Sequence, residues 1–74
     1  MAANQNQADS QSILGAIYLA GIDIQRDINK AIHYLTLSAN KNNPVAQMFL
    51  GHIYYQGRYV PRDINKAIHY FTLS

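Results

Sequence analysis

The sequence has no cysteine, and this absence removes two common ways of stabilising a small domain. A disulfide cannot form, and a zinc site built on thiolates is excluded. A chain of 74 residues buries only about 60–65% of the surface of its unfolded state, so its margin of stability is small without such a cross-link. The lack of cysteine also fits a reducing compartment. A cytoplasmic location is favoured because the sequence shows no signal peptide and no transmembrane segment.

Charged side chains are scarce, and glutamate is absent. Charged residues make up 14% of the chain, against about 25% in an ordinary domain. The six Lys and Arg residues are scattered, so they form no convincing phosphate-binding patch and predict no nucleic-acid partner. No apolar run reaches the roughly 18 residues that a membrane span needs, and the N-terminal residues lack the pattern of a signal peptide. We therefore expect no membrane insertion.

The sequence also offers few groups for catalysis or metal binding. It has four aspartates, and it shows no Gly-rich phosphate loop, nucleophile elbow or paired carboxylates. His33 and His69 lie a whole repeat apart, whereas two metal ligands on one helix are four residues apart. We expect no enzyme, no cofactor and no metal site.

What the sequence does contain is an internal repeat. Residues 26–34 recur unchanged as residues 62–70, at an offset of 36. Extended without a gap, this offset pairs repeat one (residues 3–38) with repeat two (residues 39–74), and more than half of the positions are identical. A period of this length is typical of stacked helical hairpins.

Each copy predicts two helices joined by a short turn. Asn43 and Pro44 indicate a helix start, because Asn accepts backbone hydrogen bonds there and Pro needs no partner at the first helical position. Gly57 suits the left-handed residue just after a helix, and Asp63 suits the next N-cap. With apolar residues spaced for one helical face, the pattern predicts four helices over residues 8–20, 28–41, 44–56 and 64–74.

Glycine recurs in the middle of the first helix of each copy. Gly15 and Gly51 cost about 1 kcal/mol relative to Ala, so their recurrence at one register suggests a steric reason. We expect the partner helix to approach closely there, with Ala31 and Ala67 facing the glycines.

The repeat resembles the Sel-one-like repeat, a relative of the tetratricopeptide repeat with a slightly longer loop. In repeat two the pattern is carried by Ala46, Gln47, Leu50, Gly51, Tyr54, Gly57, Val60, Asp63, Lys66, Ala67 and Tyr70. Repeat one carries it at Gln11, Leu14, Gly15, Tyr18, Gly21, Asp27, Lys30, Ala31 and Tyr34. The resemblance implies an all-α fold, a right-handed α-α superhelix of two hairpins, and a non-catalytic adaptor or scaffold function in binding other proteins.

One loop position departs from the pattern of the Sel-one-like repeat. Asp23 and Tyr59 stand where relatives often have Gly. Asp tolerates a positive φ better than Tyr does, so we expect the second loop to be strained or shaped differently.

Comparison of the two copies suggests a partner-binding surface. In the first helix of each copy the apolar positions match, but Ser12, Ala16, Leu19 and Ala20 correspond to Met48, His52, Tyr55 and Gln56. By analogy with tetratricopeptide arrays this face lines the concave side, and Met and Tyr are side chains that anchor interfaces. We predict that the partner-binding residues are Ala16, Leu19, Met48, His52 and Tyr55. Two alternatives remain: sequence drift on a solvated face, and a purely structural spacer in a longer array.

The ends of the sequence suggest incomplete stacking. Residues 2–7 align with residues 38–43, the predicted tail of a second helix and its turn. Arrays usually need about three or more repeats to be stable alone, and two are present. We expect a piece of a longer array or a very short member, marginally stable and prone to self-associate head to tail.

Overall fold

Four helices account for most of the chain. The computed structural model describes residues 2–74, and their side chains from residue 6 onward. The helices are α1 (Ala2–Ala20), α2 (Ile28–Asn40), α3 (Pro44–Gln56) and α4 (Ile64–Leu73). The prediction of an all-α fold of two helical hairpins is confirmed.

Helix α1 is longer than predicted. It begins at Ala2 rather than near residue 8, so residues 2–7 are helical and do not form a turn like the one that follows α2. The two repeats differ here because repeat two has a proline, Pro44. Proline lacks an N–H and forces the preceding residue out of the helical region. Repeat one has Ala8 at the equivalent position, and nothing there interrupts the helix.

The predicted helix caps form in the structure. The side chains of Asp27, Asn43 and Asp63 accept the backbone N–H three residues later, each at 3.0 Å. Pro44 takes the first turn of α3. These bonds satisfy amides that have no partner within the helix, and each contributes roughly 1 kcal/mol.

A glycine ends the first helix of each hairpin. Gly21 and Gly57 both have φ of 63°, a left-handed conformation that other residues rarely adopt. A Cβ on Gly21 would also lie only 2.7 Å from the Cβ of Arg26, and a Cβ on Gly57 would lie only 2.6 Å from the Cβ of Arg62. The loops then diverge, because Asp23 has a positive φ of 25° and Tyr59 does not share it.

The helices of each hairpin approach most closely at the mid-helix glycines. A Cβ added to Gly15 would lie 2.6 Å from Leu35 Cγ and 3.1 Å from the Ala31 carbonyl oxygen. At Gly51 it would lie 2.6 Å from the ring of Phe71. The predicted close approach is therefore present, but Leu35 and Phe71 fill the space rather than the methyl groups of Ala31 and Ala67.

The buried core lies between the two repeats. It joins Leu35 and Ala39 of α2 to Ala46, Leu50 and Ile53 of α3. Leu19, Ile32 and Phe49 pack against its edge. The molecule measures 34 × 31 × 13 Å, so it is a thin slab whose core joins one hairpin to the next.

Alanine at the two mid-helix glycines should have unequal effects. Gly15→Ala should lower the free energy of unfolding by up to about 2 kcal/mol, because overpacking against the fully buried Leu35 costs about 1–3 kcal/mol and improved helix propensity returns roughly 1. Gly51→Ala should be close to neutral, because the half-exposed ring of Phe71 has room to move. Urea unfolding followed by circular dichroism measures both, and equal losses would contradict this packing.

Candidate protein-binding face

Three of the five predicted partner-binding residues share one exposed face of α3. Met48, His52 and Tyr55 are spaced four and three residues apart, and all three are exposed. Residues at this spacing lie above one another on a helix. We call these three residues the α3 face.

The other two predicted residues lie on α1 and are half-buried. Leu19 packs against the core between the repeats, and Ala16 borders a shallow apolar groove. Ser12, the equivalent of Met48, is buried and donates a hydrogen bond to the Asp9 carbonyl oxygen at 2.9 Å. The structure thus covers much of this surface on repeat one and leaves it open on repeat two.

Tyr55 is held in place by Arg62. The Arg62 Nε donates to the Tyr55 carbonyl oxygen at 2.9 Å, and its guanidinium carbon lies 5.0 Å from the centre of the Tyr55 ring. The hydrogen bond fixes the backbone at the end of α3, and the ring contact restricts the Tyr55 side chain. Arg26 makes the corresponding hydrogen bond to the Leu19 carbonyl oxygen, also at 2.9 Å.

Reasoning from the sequence missed these arginines, which were counted as part of a scattered basic set. The available signal was their recurrence at the start of the nine identical residues. A loop residue that recurs unchanged while the four loop residues before it differ indicates a structural contact. Arg26 also reaches repeat two, where its guanidinium carbon lies 5.1 Å from the centre of the Tyr59 ring.

His52 packs against the second helix of its own hairpin. Its ring meets the edge of the Phe71 ring, with centres 5.2 Å apart and planes at 80°. His33 and His69 make similar edge contacts with Tyr34 and Tyr70. The three histidines therefore contact aromatic rings.

Comparison with known proteins places this geometry in a family. A family model described as Sel1 repeat matches residues 8–43 and residues 44–74. The chain belongs to the Sel1 repeat family. Sel1 repeats generally mediate protein–protein interaction and are typically non-catalytic. Comparison with curated proteins gave no match.

The part of this Sel1 repeat chain that the structure describes has neither a membrane-spanning helix nor a metal-binding cluster. Within residues 2–74, no helix combines the length and apolar character needed to cross a bilayer. Among the side chains that the structure describes, no three His, Asp, Glu or Cys residues are grouped as a metal site would require.

The Arg62 contact predicts a difference between arginine and lysine in this Sel1 repeat. Arg62→Lys should lower the free energy of unfolding by about 1 kcal/mol, because an ammonium group does not reproduce a planar guanidinium that bonds a carbonyl and covers a ring. Arg58→Lys is the control, since that exposed guanidinium lies further from its ring, 5.8 Å from the centre of Tyr59. Chemical denaturation compares the two, and an equal loss would argue against a special contact at Arg62.

Proposed function

We propose that this chain is a non-catalytic adaptor or scaffold module that binds a protein partner through the α3 face. The observation that carries the proposal is the arrangement of Met48, His52 and Tyr55 on one exposed side of α3. Met adapts to irregular surfaces, and Tyr is enriched among residues that dominate binding energy. The proposal involves no cofactor, no nucleic acid and no membrane insertion.

Preorganisation supports the same proposal. Arg62 limits the motion of Tyr55, and Phe71 limits that of His52. Fixing a mobile side chain on binding costs about 0.5–1.5 kcal/mol, and a side chain that is already held loses less. Ala16 and Leu19 would border the bound partner on the α1 side.

A structural spacer is the second candidate, and a specific observation favours it. Ser12 and Leu19 are the repeat-one equivalents of Met48 and Tyr55, and they are buried and half-buried. The exposure of Met48 and Tyr55 therefore has a simple positional reason: repeat two lies beside repeat one, and no repeat covers repeat two in the structure. In a spacer these side chains would contact only further repeats.

The double variant Met48→Ala/Tyr55→Ala tests the proposal. Affinity capture with the whole chain as bait identifies a candidate partner, and calorimetry with the purified partner then measures the dissociation constant. The variant should bind at least about tenfold more weakly, because truncating one interface anchor commonly removes 1 kcal/mol or more. Helicity should be unchanged, since both side chains are exposed.

Asn65→Ala/His69→Ala is the matched control. It removes two exposed polar side chains from α4, away from the α3 face, and should bind the partner as tightly as the wild type. If the α3 variant binds every captured protein with wild-type affinity, the spacer becomes the better description.

A further inference from the structure

Equivalent apolar residues of the two repeats differ sharply in exposure. Leu50 and Ile53 of repeat two are 0% and 3% exposed, whereas Leu14 and Ile17 of repeat one are 38% and 45% exposed. On the second helices the difference is reversed. Leu35 is fully buried, and its equivalent Phe71 is 37% exposed.

These differences define two open surfaces on opposite sides of the slab. The N-face consists of Ile13, Leu14 and Ile17 on α1. The C-face consists of Tyr55 at the end of α3 and Ile68 and Phe71 on α4. Each surface presents exposed apolar side chains, and an apolar groove of about 380 Å³ borders the N-face, lined by Ile13, Ala16, Ile17, Ala20, Ile22 and Asp23.

The interface inside the molecule shows what fits these surfaces. Its buried cluster includes Leu35 of repeat one with Leu50 and Ile53 of repeat two. Leu19 and Ile32 of repeat one and Phe49 of repeat two pack against this cluster. The interface thus draws on Leu19, Ile32 and Leu35 from repeat one, and on Phe49, Leu50 and Ile53 from repeat two. At the offset of 36, the first three residues correspond to the C-face and the last three to the N-face. The molecule thus contains one complete interface and exposes the two halves of another.

We propose that a second copy of this chain docks head to tail, with its N-face on the C-face of the first copy. Ile17 of the second copy would then lie where Ile53 lies in the internal interface, and Phe71 of the first copy would be covered as Leu35 is. The proposal goes beyond the proposed function and does not rest on it. It concerns mainly α1 and α4, and Tyr55 is the one residue that the C-face shares with the α3 face.

Charge complementarity favours the same register. Inside the molecule, Arg26 of repeat one lies over the Tyr59 ring of repeat two. At the offset of 36, the corresponding pair between two copies is Arg62 of one and Asp23 of the next. A guanidinium group over an aromatic ring would be replaced by a guanidinium group beside a carboxylate. In the contact between two copies, the Arg62 guanidinium would therefore take the place of the Arg26 guanidinium, and the Asp23 carboxylate would supply an opposite charge beside it.

This contact joins two different surfaces, so it does not close on itself. A dimer still has one free N-face and one free C-face, and further copies can add. The expected behaviour is a series of oligomers whose mean mass rises with concentration, without a fixed dimer.

Two variants that each block one surface provide the test. Ile17→Glu places a charge on the N-face, and Ile68→Glu places a charge on the C-face, where Ile68 is 57% exposed. Glu is a good helix former and carries the same charge in both variants, so the two blocked surfaces repel each other. His69→Glu is the control, because its equivalent His33 remains exposed beside the internal interface.

Sedimentation velocity at rising concentration measures the outcome. The wild type and His69→Glu should form oligomers larger than dimers, and each blocked variant alone should be monomeric. An equimolar mixture of the two blocked variants should form a species of two chains and nothing larger, because one intact interface remains. Formation of this species also shows that both variants are folded. Should Ile17→Glu lose its helical circular dichroism, Ile13→Glu on the same surface replaces it in the mixture.

Three outcomes would overturn the proposal: a helical wild type that stays monomeric to high micromolar concentration, a mixture of folded variants that stays monomeric, or a wild type that stops at a dimer.

The register of the contact between copies has its own test in Asp23→Asn, which removes the charge and keeps a residue that tolerates a positive φ. It should weaken association by about 1.4- to fivefold at low salt, and an unchanged association constant would refute the Arg62–Asp23 pairing.

Discussion

The rest of the structure depends on burial of Leu35 of α2 against Leu50 of α3. Both side chains are fully buried, and they belong to different repeats. The largest buried cluster draws side chains from both hairpins, so a single hairpin would leave Leu35 or Leu50 without part of its packing. The molecule is consequently a slab 13 Å thick in its shortest dimension. Apolar burial contributes about 25 cal/mol per Å², so the number of covered repeat surfaces decides the stability of such a slab.

Two local devices hold each hairpin in the shape that this interface requires. The mid-helix glycines let the second helix approach closely, and the left-handed glycines with their neighbouring arginines bring the chain back along the first helix. In both loops the backbone N–H of the N-cap aspartate also bonds a tyrosine carbonyl oxygen near the end of the first helix, at 3.0 Å from Asp27 to Tyr18 and 2.9 Å from Asp63 to Tyr54. These residues are identical in the two copies, because both copies form the same hairpin.

The α3 face and the two open surfaces have different origins. The positions of the N-face and C-face follow from the repeat, since any stack of identical units exposes one half-interface on each side. The α3 face differs from its repeat-one equivalent in side-chain type as well as in exposure. Met48, His52 and Tyr55 replace Ser12, Ala16 and Leu19, so selection for a partner or drift has acted there beyond what stacking requires.

The sequence by itself determined the repeat, the helix caps and most of the helix boundaries, because these depend on contacts between residues close together in the chain. It also predicted a close approach at Gly15, but not that Leu35 fills the space. Tertiary structure decided which residues of the predicted binding set are open: Leu19 packs against the core while Tyr55 is exposed. These two residues occupy the same position of the repeat, so local sequence does not separate them. The separation depends on whether a neighbouring repeat is present, which is a long-range property of the folded chain.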